Sequence, residues 1–219
     1  MASKLREAWT KVVRAEDYDA HMAAIGQAEA NAGLVSELFE SDPPRPGSAV
    51  LFAGAGTGQL FDYVSPEMLK PYRTTFTDIN AEYLTRLATR VSVAPGIEFE
   101  TRVDDIEASR LSGAFEVVLA ILVLEHVDWR KAVCEICRLC CARAFVVLQE
   151  NPAHIAAAVT QGRPLPGSMA LLKDVHPHLI PQSEVVAEFA RHGFDLRRSS
   201  AREVLDSKRM LALEFKKRR

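Results

Sequence analysis

The chain has 219 residues, 48% of them hydrophobic, which is enough for one substantial core with an appended lid or small subdomain. Its formal net charge is −2, so the charge balance gives no reason to expect a nucleic-acid partner or an anionic membrane. The longest apolar run covers only residues 117–124, too short for a membrane span, and the charged N-terminus lacks a signal peptide's apolar block, so we expect a cytoplasmic protein.

The first part of the chain is predicted to be helical. The stretch EDYDAHMAAIGQAEAN at 16–31 has the pattern of an amphipathic helix, and ESDPPRPGS at 40–48 has the composition of a linker. We therefore divide the chain into an N-terminal helical segment at 1–42 and a larger domain at 43–219.

The larger domain contains short apolar or β-branched runs that are typical of strands. Seven such runs are found, at 49–53, 74–78, 97–103, 115–121, 144–149, 194–200 and 210–215. Helical patterns lie between them at 81–91, 129–140 and 183–193. Alternating strands and helices predict an α/β fold with a mostly parallel sheet. The last two strands are close together in sequence, which favours an antiparallel pair that completes the sheet.

All four cysteines lie in CEICRLCC, at 134–141. Thiolates two residues apart recur in metal and cluster sites, so this spacing needs an explanation. Here the cysteines and their apolar neighbours recur at helical intervals, and reduced cysteine often packs as a small buried hydrophobe. We therefore favour a packing role and predict no metal.

A glycine-rich loop follows the first predicted strand. Gly54, Gly56 and Gly58 give the spacing G-x-G-x-G, and Gln59 occupies the position where the dinucleotide fingerprint has its last glycine. The loop also lacks the G-K-[ST] ending of a phosphate-binding P-loop. Its glycines still permit close approach of the backbone to a ligand. Asp78, at the end of the second strand, suits the two hydroxyls of a ribose.

Together these motifs resemble those of the class I S-adenosylmethionine-dependent methyltransferases, over about residues 48–150. VLFAGAGTGQL is similar to the family's first motif, FTDIN to its second and VDDIEA to its third, and the fourth strand leads into an LEHV stretch. The resemblance implies a Rossmann-like, doubly wound sheet of seven strands and S-adenosylmethionine as the cofactor. It assigns Asp78 to the ribose and Ile79 to the adenine ring, and Asp105, with Asp104 as the alternative, to the adenine amino group.

The resemblance also gives the N-terminal segment an expected role, because in many relatives such a helix folds over the cofactor as a lid. Tyr18 is the residue of that segment which we expect to cover the ligand. The cofactor-binding residues that the resemblance implies are Tyr18, Gly54, Ala55, Gly56, Gly58, Gln59, Asp78, Ile79, Asp105, Ile106 and Ile121.

The sequence departs from the family's pattern at Phe52, where relatives usually carry an acid. Phenylalanine can neither accept a hydrogen bond nor balance an ammonium group. Strand alternation places Phe52 on the same face as Val50 and opposite Leu51 and Ala53, so its ring can pack beneath the glycine loop. We expect the amino-acid end of the cofactor to be held instead by backbone groups and by the N-terminal segment.

The acceptor is predicted to be a small molecule that is methylated at oxygen, nitrogen, sulfur or an activated carbon. The chain lacks the N-P-P-Y motif of adenine or glutamine methylators and the Pro-Cys pair of pyrimidine carbon methylators. Histidine is the natural base near neutral pH, and the candidates are His126, His176 and His178. The last two lie in a long connection around 151–181 that we expect to wall the acceptor pocket. They could also bind a metal, but they lack an evident third ligand.

Two other functions are compatible with such a sheet. A nicotinamide-dependent oxidoreductase would share it, although Gln59 counts against this alternative. A protein that binds S-adenosylmethionine or S-adenosylhomocysteine without catalysis is the stronger alternative, because Phe52 could mark a site that has lost its activity. No nucleic-acid or membrane partner is predicted, and both a monomer and a homodimer remain open.

Overall fold

The computed structural model describes residues 6–152, 167–174 and 178–218. Within these ranges the α-helices are α1 (Ala15–Ala24), α2 (Gln27–Ser41), α3 (Ala81–Val91), α4 (Trp129–Leu139) and α5 (Gln182–Arg191). The strands are β1 (Ala49–Ala53), β2 (Arg73–Asp78), β3 (Glu98–Val103), β4 (Phe115–Ile121), β5 (Cys140–Glu150), β6 (Phe194–Glu203) and β7 (Arg209–Lys217). A π-helical turn, Ala8–Val12, precedes α1. None of the helices in the described ranges is long and apolar enough to cross a membrane.

The strands form one sheet in the order β3-β2-β1-β4-β5-β7-β6. Strands β1 to β5 are parallel to one another, whereas β7 runs antiparallel to both β5 and β6. The predicted Rossmann-like fold, with an antiparallel pair at its end, is confirmed. The chain order reverses between β1 and β4, and open α/β sheets bind ligands in the crevice that such a reversal leaves at the carboxyl ends of the strands.

Side chains on β1 alternate between two cores, as predicted. Val50 and Phe52 belong to the cluster that contains α2 and α3, whereas Leu51 and Ala53 belong to the cluster that contains α4 and α5. Strand β4 is buried over most of its length, which explains its nearly continuous apolar sequence. Helices therefore cover both faces of the sheet and fix the strand ends where the candidate site lies.

The cysteine cluster differs from the helical prediction at its end. Helix α4 ends before Cys140, and Cys140 and Cys141 are the first residues of β5. A strand replaces the last predicted helical turn because Cys140 pairs with Phe115 of β4. Cys137 and Cys140 are buried, but Cys134 and Cys141 are exposed, so the packing role applies to two of the four. Among the described residues, no group of three or more His, Cys, Asp or Glu side chains is arranged to hold a metal ion.

The predicted N-terminal segment, 1–42, divides into two parts that pack differently. Leu34, Val35 and Leu38 on α2 are at most 1% exposed, and α2 is therefore a wall of the main core. The π-helical turn and α1 form smaller clusters of their own with residues near the glycine loop. The two parts meet at Gly26, which has a φ of +71° and caps the N-terminus of α2. A covering role is therefore open to residues 6–25 and not to α2.

Candidate functional site

The glycine loop turns sharply at the carboxyl end of β1. Gly54, Gly56 and Gly58 have φ angles of +64°, +58° and +72°, a region that strains any residue with a side chain. A Cβ at Gly54 would lie 2.6 Å from the side chain of Val123, and one at Gly58 would lie 2.8 Å from that of Leu87. These two glycines therefore allow the loop to pack closely between α3 and the segment after β4.

Asp78 connects the end of β2 to this loop. Its Oδ2 accepts a hydrogen bond from the Gly56 N–H at 2.9 Å, and its Oδ1 accepts one from the Asn80 N–H at 2.9 Å. Desolvation nevertheless outweighs these bonds and raises the pKa of Asp78 to about 6. The carboxylate thus holds the loop in place and still has lone pairs to offer to a ligand.

Two adjoining pockets flank the glycine loop and share five lining residues: Tyr18, Gly54, Gly56, Ile121 and Leu122. The first pocket contains most of the residues predicted to bind the cofactor, namely Tyr18, Gly54, Gly56, Asp78, Ile79, Asp105, Ile106 and Ile121. Ala55 and Gln59 line the second pocket. Gly58 lines neither, because its role is the close packing against Leu87.

The two acids after β3 differ in what their side chains contact. Asp105 forms an ion pair with Arg6 and accepts a hydrogen bond from the Glu107 N–H. Asp104 accepts one from the Arg110 N–H through Oδ1, whereas its Oδ2 is buried and has no partner among the described residues. Both acids line the first pocket. Asp104 is therefore the acid with a carboxylate oxygen that has no hydrogen-bond partner among the described residues. The sequence alone cannot reveal this difference between two adjacent acids.

The N-terminal segment is fastened over the loop by charged contacts. Asp19 on α1 forms ion pairs with Arg86 and Arg90 on α3, the first at 2.6 Å and the second at 2.8 Å. The hydroxyl of Thr57, in the glycine loop, also donates to Asp19. The neighbouring residue, Tyr18, is thereby held beside Gly56, where a Cβ would lie 3.4 Å from its ring. These bonds bring residues of α1 into both pockets.

A second fastening joins α1 to part of the connection predicted to wall the acceptor pocket. The Asp17 carboxylate accepts from the backbone N–H of Ser168 at 2.7 Å and from its hydroxyl at 2.6 Å. Met169 is buried with Val13 and Tyr83 in one cluster. The segment that covers the loop and the described part of the connection therefore form one contiguous cover.

His126 lies past β4, in the first pocket, and its ring contacts Trp9. Its Nδ1 accepts a hydrogen bond from the Trp9 Nε1–H at 3.1 Å. Desolvation, with a smaller contribution from the charge of His178, lowers the pKa of His126 to about 4. A neutral imidazole whose Nδ1 accepts must carry its proton on Nε2, so in this arrangement His126 is a hydrogen-bond donor through Nε2.

The other two candidate histidines are placed less fully. His178 is exposed, and its backbone N–H donates to the carbonyl oxygen of Glu125 at 2.8 Å, close to the candidate site. His176 lies outside the described residues. Their predicted role in catalysis therefore stays a prediction.

Sequence analysis did not select two residues that the structure places at this sheet edge. Trp9 lines the first pocket from a π-helical turn, whose irregular period gives no pattern to recognise. Glu125 is 3% exposed; its Oε1 accepts from the Gln149 N–H at 2.7 Å, and its Oε2 is unpaired among the described residues. Burial raises the pKa of Glu125 to about 7. An acid directly after the apolar run 117–124 was the available signal for Glu125.

Comparison with known families gives one match. Residues 51–148 match the family model of a methyltransferase domain. The matched range runs from β1 into β5 and includes the glycine loop, Asp78 and His126. No curated protein matches the chain.

Solved structures resemble the chain over most of its length. Magnesium protoporphyrin IX methyltransferase from Synechocystis PCC 6803, with bound S-adenosylhomocysteine, is 17% identical, with a TM-score of 0.65 over 86% of this chain and 82% of that one. An N-methyltransferase from Bradyrhizobium japonicum WM9, in complex with the same ligand, is 12% identical, with a TM-score of 0.57 over 86% of each chain. A [4+2]-cyclase is also 12% identical, with a TM-score of 0.62 over 85% of this chain and 80% of that one. At these identities the likeness shows the fold, which by itself does not determine a reaction.

Proposed function

We propose, on the premise that residues 51–148 form a methyltransferase domain with the class I fold, that this protein transfers a methyl group from S-adenosylmethionine to a small molecule. The acceptor atom is oxygen, nitrogen, sulfur or an activated carbon. One observation carries the proposal: a single pocket beside the glycine loop brings together Asp78, Ile79 and the acids that follow β3.

The residues of this pocket fit the adenosine part of the cofactor. Asp78 would accept from the ribose hydroxyls, and the apolar side chains of Ile79 and Ile106 would flank the adenine ring. The resemblance favours Asp105 for the adenine amino group, with Asp104 as the alternative; the buried, unpaired Oδ2 of Asp104 supports a proposal that Asp104 accepts this bond. A buried acceptor without a partner is costly, so a ligand donor at Asp104 would remove that cost.

The bound cofactor supplies an activated methyl group on its sulfonium. The chain then has to orient the acceptor and exclude water. Trp9 and Tyr18 line the pocket from the N-terminal segment, and the bonds of Asp17 and Asp19 keep that segment over the loop. These contacts support the proposal that residues 6–25 act as a lid.

The proposed catalytic residues are His126, His176 and His178, and among the described residues His126 is the one of these that lines the first pocket. Its Nε2–H would donate to the acceptor and orient it, because Trp9 occupies Nδ1 and the pKa of His126 is about 4. A base role at Nδ1 would require the bond to Trp9 to open first. Burial raises the pKa of the neighbouring Glu125 to about 7, but Glu125 lines neither pocket and is not assigned a proton-transfer role.

We further propose that the protein works in the cytoplasm, as a monomer or a homodimer. All four cysteines are free thiols, as is usual in a reducing compartment.

Calorimetry with S-adenosylmethionine, S-adenosylhomocysteine and NAD tests the proposed cofactor. We expect the first two to bind and NAD not to bind; tight binding of NAD alone would overturn the proposal in favour of an oxidoreductase. Transfer of labelled methyl groups to a panel of small acceptors then separates an enzyme from a protein that only binds the cofactor.

The variant Asp78→Asn should weaken binding of S-adenosylhomocysteine by about 1.5–3 kcal/mol, or roughly 10- to 150-fold, because it removes a charged acceptor from the ribose. Calorimetry measures the loss, and a melting curve shows whether the loop is still folded. Asp195→Asn is the matched control, since Asp195 is exposed on β6 and pairs only with Arg218 among the described residues. Unchanged affinity in Asp78→Asn would remove this residue from the site.

Binding should also depend on pH in a direction that Asp78 sets. Its pKa is raised to about 6, so the carboxylate that the ribose needs becomes protonated as the pH falls below about 6. Affinity for S-adenosylhomocysteine should therefore fall between pH 7 and pH 5, and the Asp78→Asn variant should lose this dependence.

The contribution of Asp78 to the stability of the ligand-free protein depends on pH in the opposite direction. It increases as the pH falls, because the carboxyl group binds a proton more readily in the folded protein than in the unfolded one. A flat affinity profile would contradict the assigned role.

Replacing His126 by alanine should lower the rate of methyl transfer by about 100-fold, the usual scale for one lost hydrogen-bond donor at a reacting group. On the proposed role, in which Nε2 contacts the acceptor, affinity for S-adenosylhomocysteine should change little. His192→Ala is the control, since His192 follows α5 and contacts Glu188. An equal loss of rate in the His126→Ala and His192→Ala variants would contradict a specific catalytic role for His126.

A further inference from the structure

The second pocket has an unusual chemical character. Its polar side chains come from Tyr18, Asn31 and Gln59, and none of the described residues that line it is charged. The remaining lining residues are apolar or belong to the glycine loop. The apolar ones include Phe52, Phe61, Phe76, Leu87, Leu119 and Met22. Any ligand group that enters must therefore find its polar partners among three side chains and the backbone.

Two of those three side chains already have partners. The hydroxyl of Tyr18 and the side chain of Gln59 are hydrogen bonded to each other. The Oε1 of Gln59 also accepts from the Thr57 hydroxyl at 2.8 Å. Asn31 is different: it is 4% exposed, and its Oδ1 is buried and has no hydrogen-bond partner among the described residues.

Asn31 is held by a rigid element. It lies on α2, which packs into the main core, and its neighbours Ala30 and Ala32 are buried there. One turn earlier on the same helix, the Gln27 Nε2–H donates to the Gln149 Oε1 at 2.9 Å, at the end of β5. The backbone that carries the Asn31 amide therefore has a fixed position beside the second pocket.

We infer that the Oδ1 of Asn31 accepts a hydrogen bond from the α-ammonium group of the cofactor, which makes the second pocket the subsite for its amino-acid end. This inference rests on the proposed function. The two pockets meet at Tyr18, Gly54 and Gly56, so a ligand whose adenosine occupies the first pocket reaches the second by passing along the loop. The amino-acid end is a zwitterion, and burial of its ammonium group is costly unless an acceptor such as the Asn31 Oδ1 receives a hydrogen bond from it.

Calorimetry with three probes tests the inference: S-adenosylhomocysteine, its analogue without the α-amino group, and 5′-methylthioadenosine, which has no amino-acid end. In Asn31→Leu, which replaces the amide by an apolar group of similar shape, affinity for S-adenosylhomocysteine should fall about 10- to 100-fold. Affinity for the other two probes should stay within about twofold, because neither carries the ammonium group. The fold should persist, since the substitution removes an unpaired buried acceptor.

Gln27→Leu is the matched control, because Gln27 lies on the same helix and lines neither pocket. It should leave all three affinities unchanged. Asn31→Ala gives the same comparison if the leucine variant does not fold.

Three results would overturn the inference. Unchanged affinity of Asn31→Leu for S-adenosylhomocysteine would show that the amide does not contact the ligand. Equal losses for all three probes would show that Asn31 has only a structural role. A wild-type protein that binds none of the probes would overturn the proposed function itself, and the inference with it.

Discussion

Replacing Gly56 by valine should abolish binding of S-adenosylhomocysteine, with a loss of at least about 1,000-fold, or about 4 kcal/mol. The branched side chain would enter the space between the loop and Tyr18, where a Cβ alone would lie 3.4 Å from the ring, and it would block the approach of the backbone to the ligand. The first and second pockets share Gly56, so both ends of the cofactor would be affected. Calorimetry measures the loss.

The control for this variant is Gly96→Val. Gly96 has a φ of +83° and nothing within 4 Å of the position of a Cβ, so valine there adds backbone strain without entering a pocket. Both variants should be similarly destabilised, and only Gly56→Val should lose the ligand. If the folded Gly56→Val protein binds normally, the loop serves only to turn the chain.

Deleting residues 1–25 should leave the sheet folded and reduce affinity for S-adenosylhomocysteine by about 4 kcal/mol. The deletion removes Trp9 and Tyr18, two aromatic residues that line the first pocket, and buried aromatic contacts at binding sites are commonly worth about 2 kcal/mol each. Isothermal calorimetry measures the affinity, and the far-ultraviolet circular dichroism spectrum checks the fold.

The end point of this deletion matters. A deletion to residue 31 would also remove Asn31 and the first turns of α2, which contain the buried Ala28 and Ala30. It would confuse the loss of the lid with damage to the core. Ending before Gly26 keeps the N-cap of α2. Normal affinity in the shorter deletion would show that the N-terminal segment does not act as a lid.

Local patterns were sufficient to predict the central fold. Helix α3 occupies the predicted range, 81–91, because its apolar residues recur at helical spacing and Asn80 caps its first turn by accepting from the Glu82 N–H. Strand β1 and the glycine loop were also predictable from local sequence. The strand is a short apolar run whose side chains pack into two cores, and the loop has glycines at its three positive φ angles.

Features that depend on distant residues were harder to predict. Nothing near Trp9 indicates that its indole meets His126, 117 positions away. The difference between Asp104 and Asp105 arises because Arg6 pairs with the second acid and not the first. Cys140 was assigned to a helix because an apolar residue at a helix–strand boundary fits both periods, and its pairing with β4 decides between them.

The aromatic packing of Phe52 also has an evolutionary consequence. Its ring is 2% exposed, and its centroid lies 5.0 Å from that of Phe76 and 6.2 Å from that of Phe61. A single mutation to the family's usual acid would bury a carboxylate among rings that offer it no hydrogen bond, at a cost of several kcal/mol. Such a mutation becomes acceptable only after one of the neighbouring rings has been replaced. The three phenylalanines therefore entrench one another, and lineages that keep Phe61 and Phe76 should keep an apolar residue at position 52.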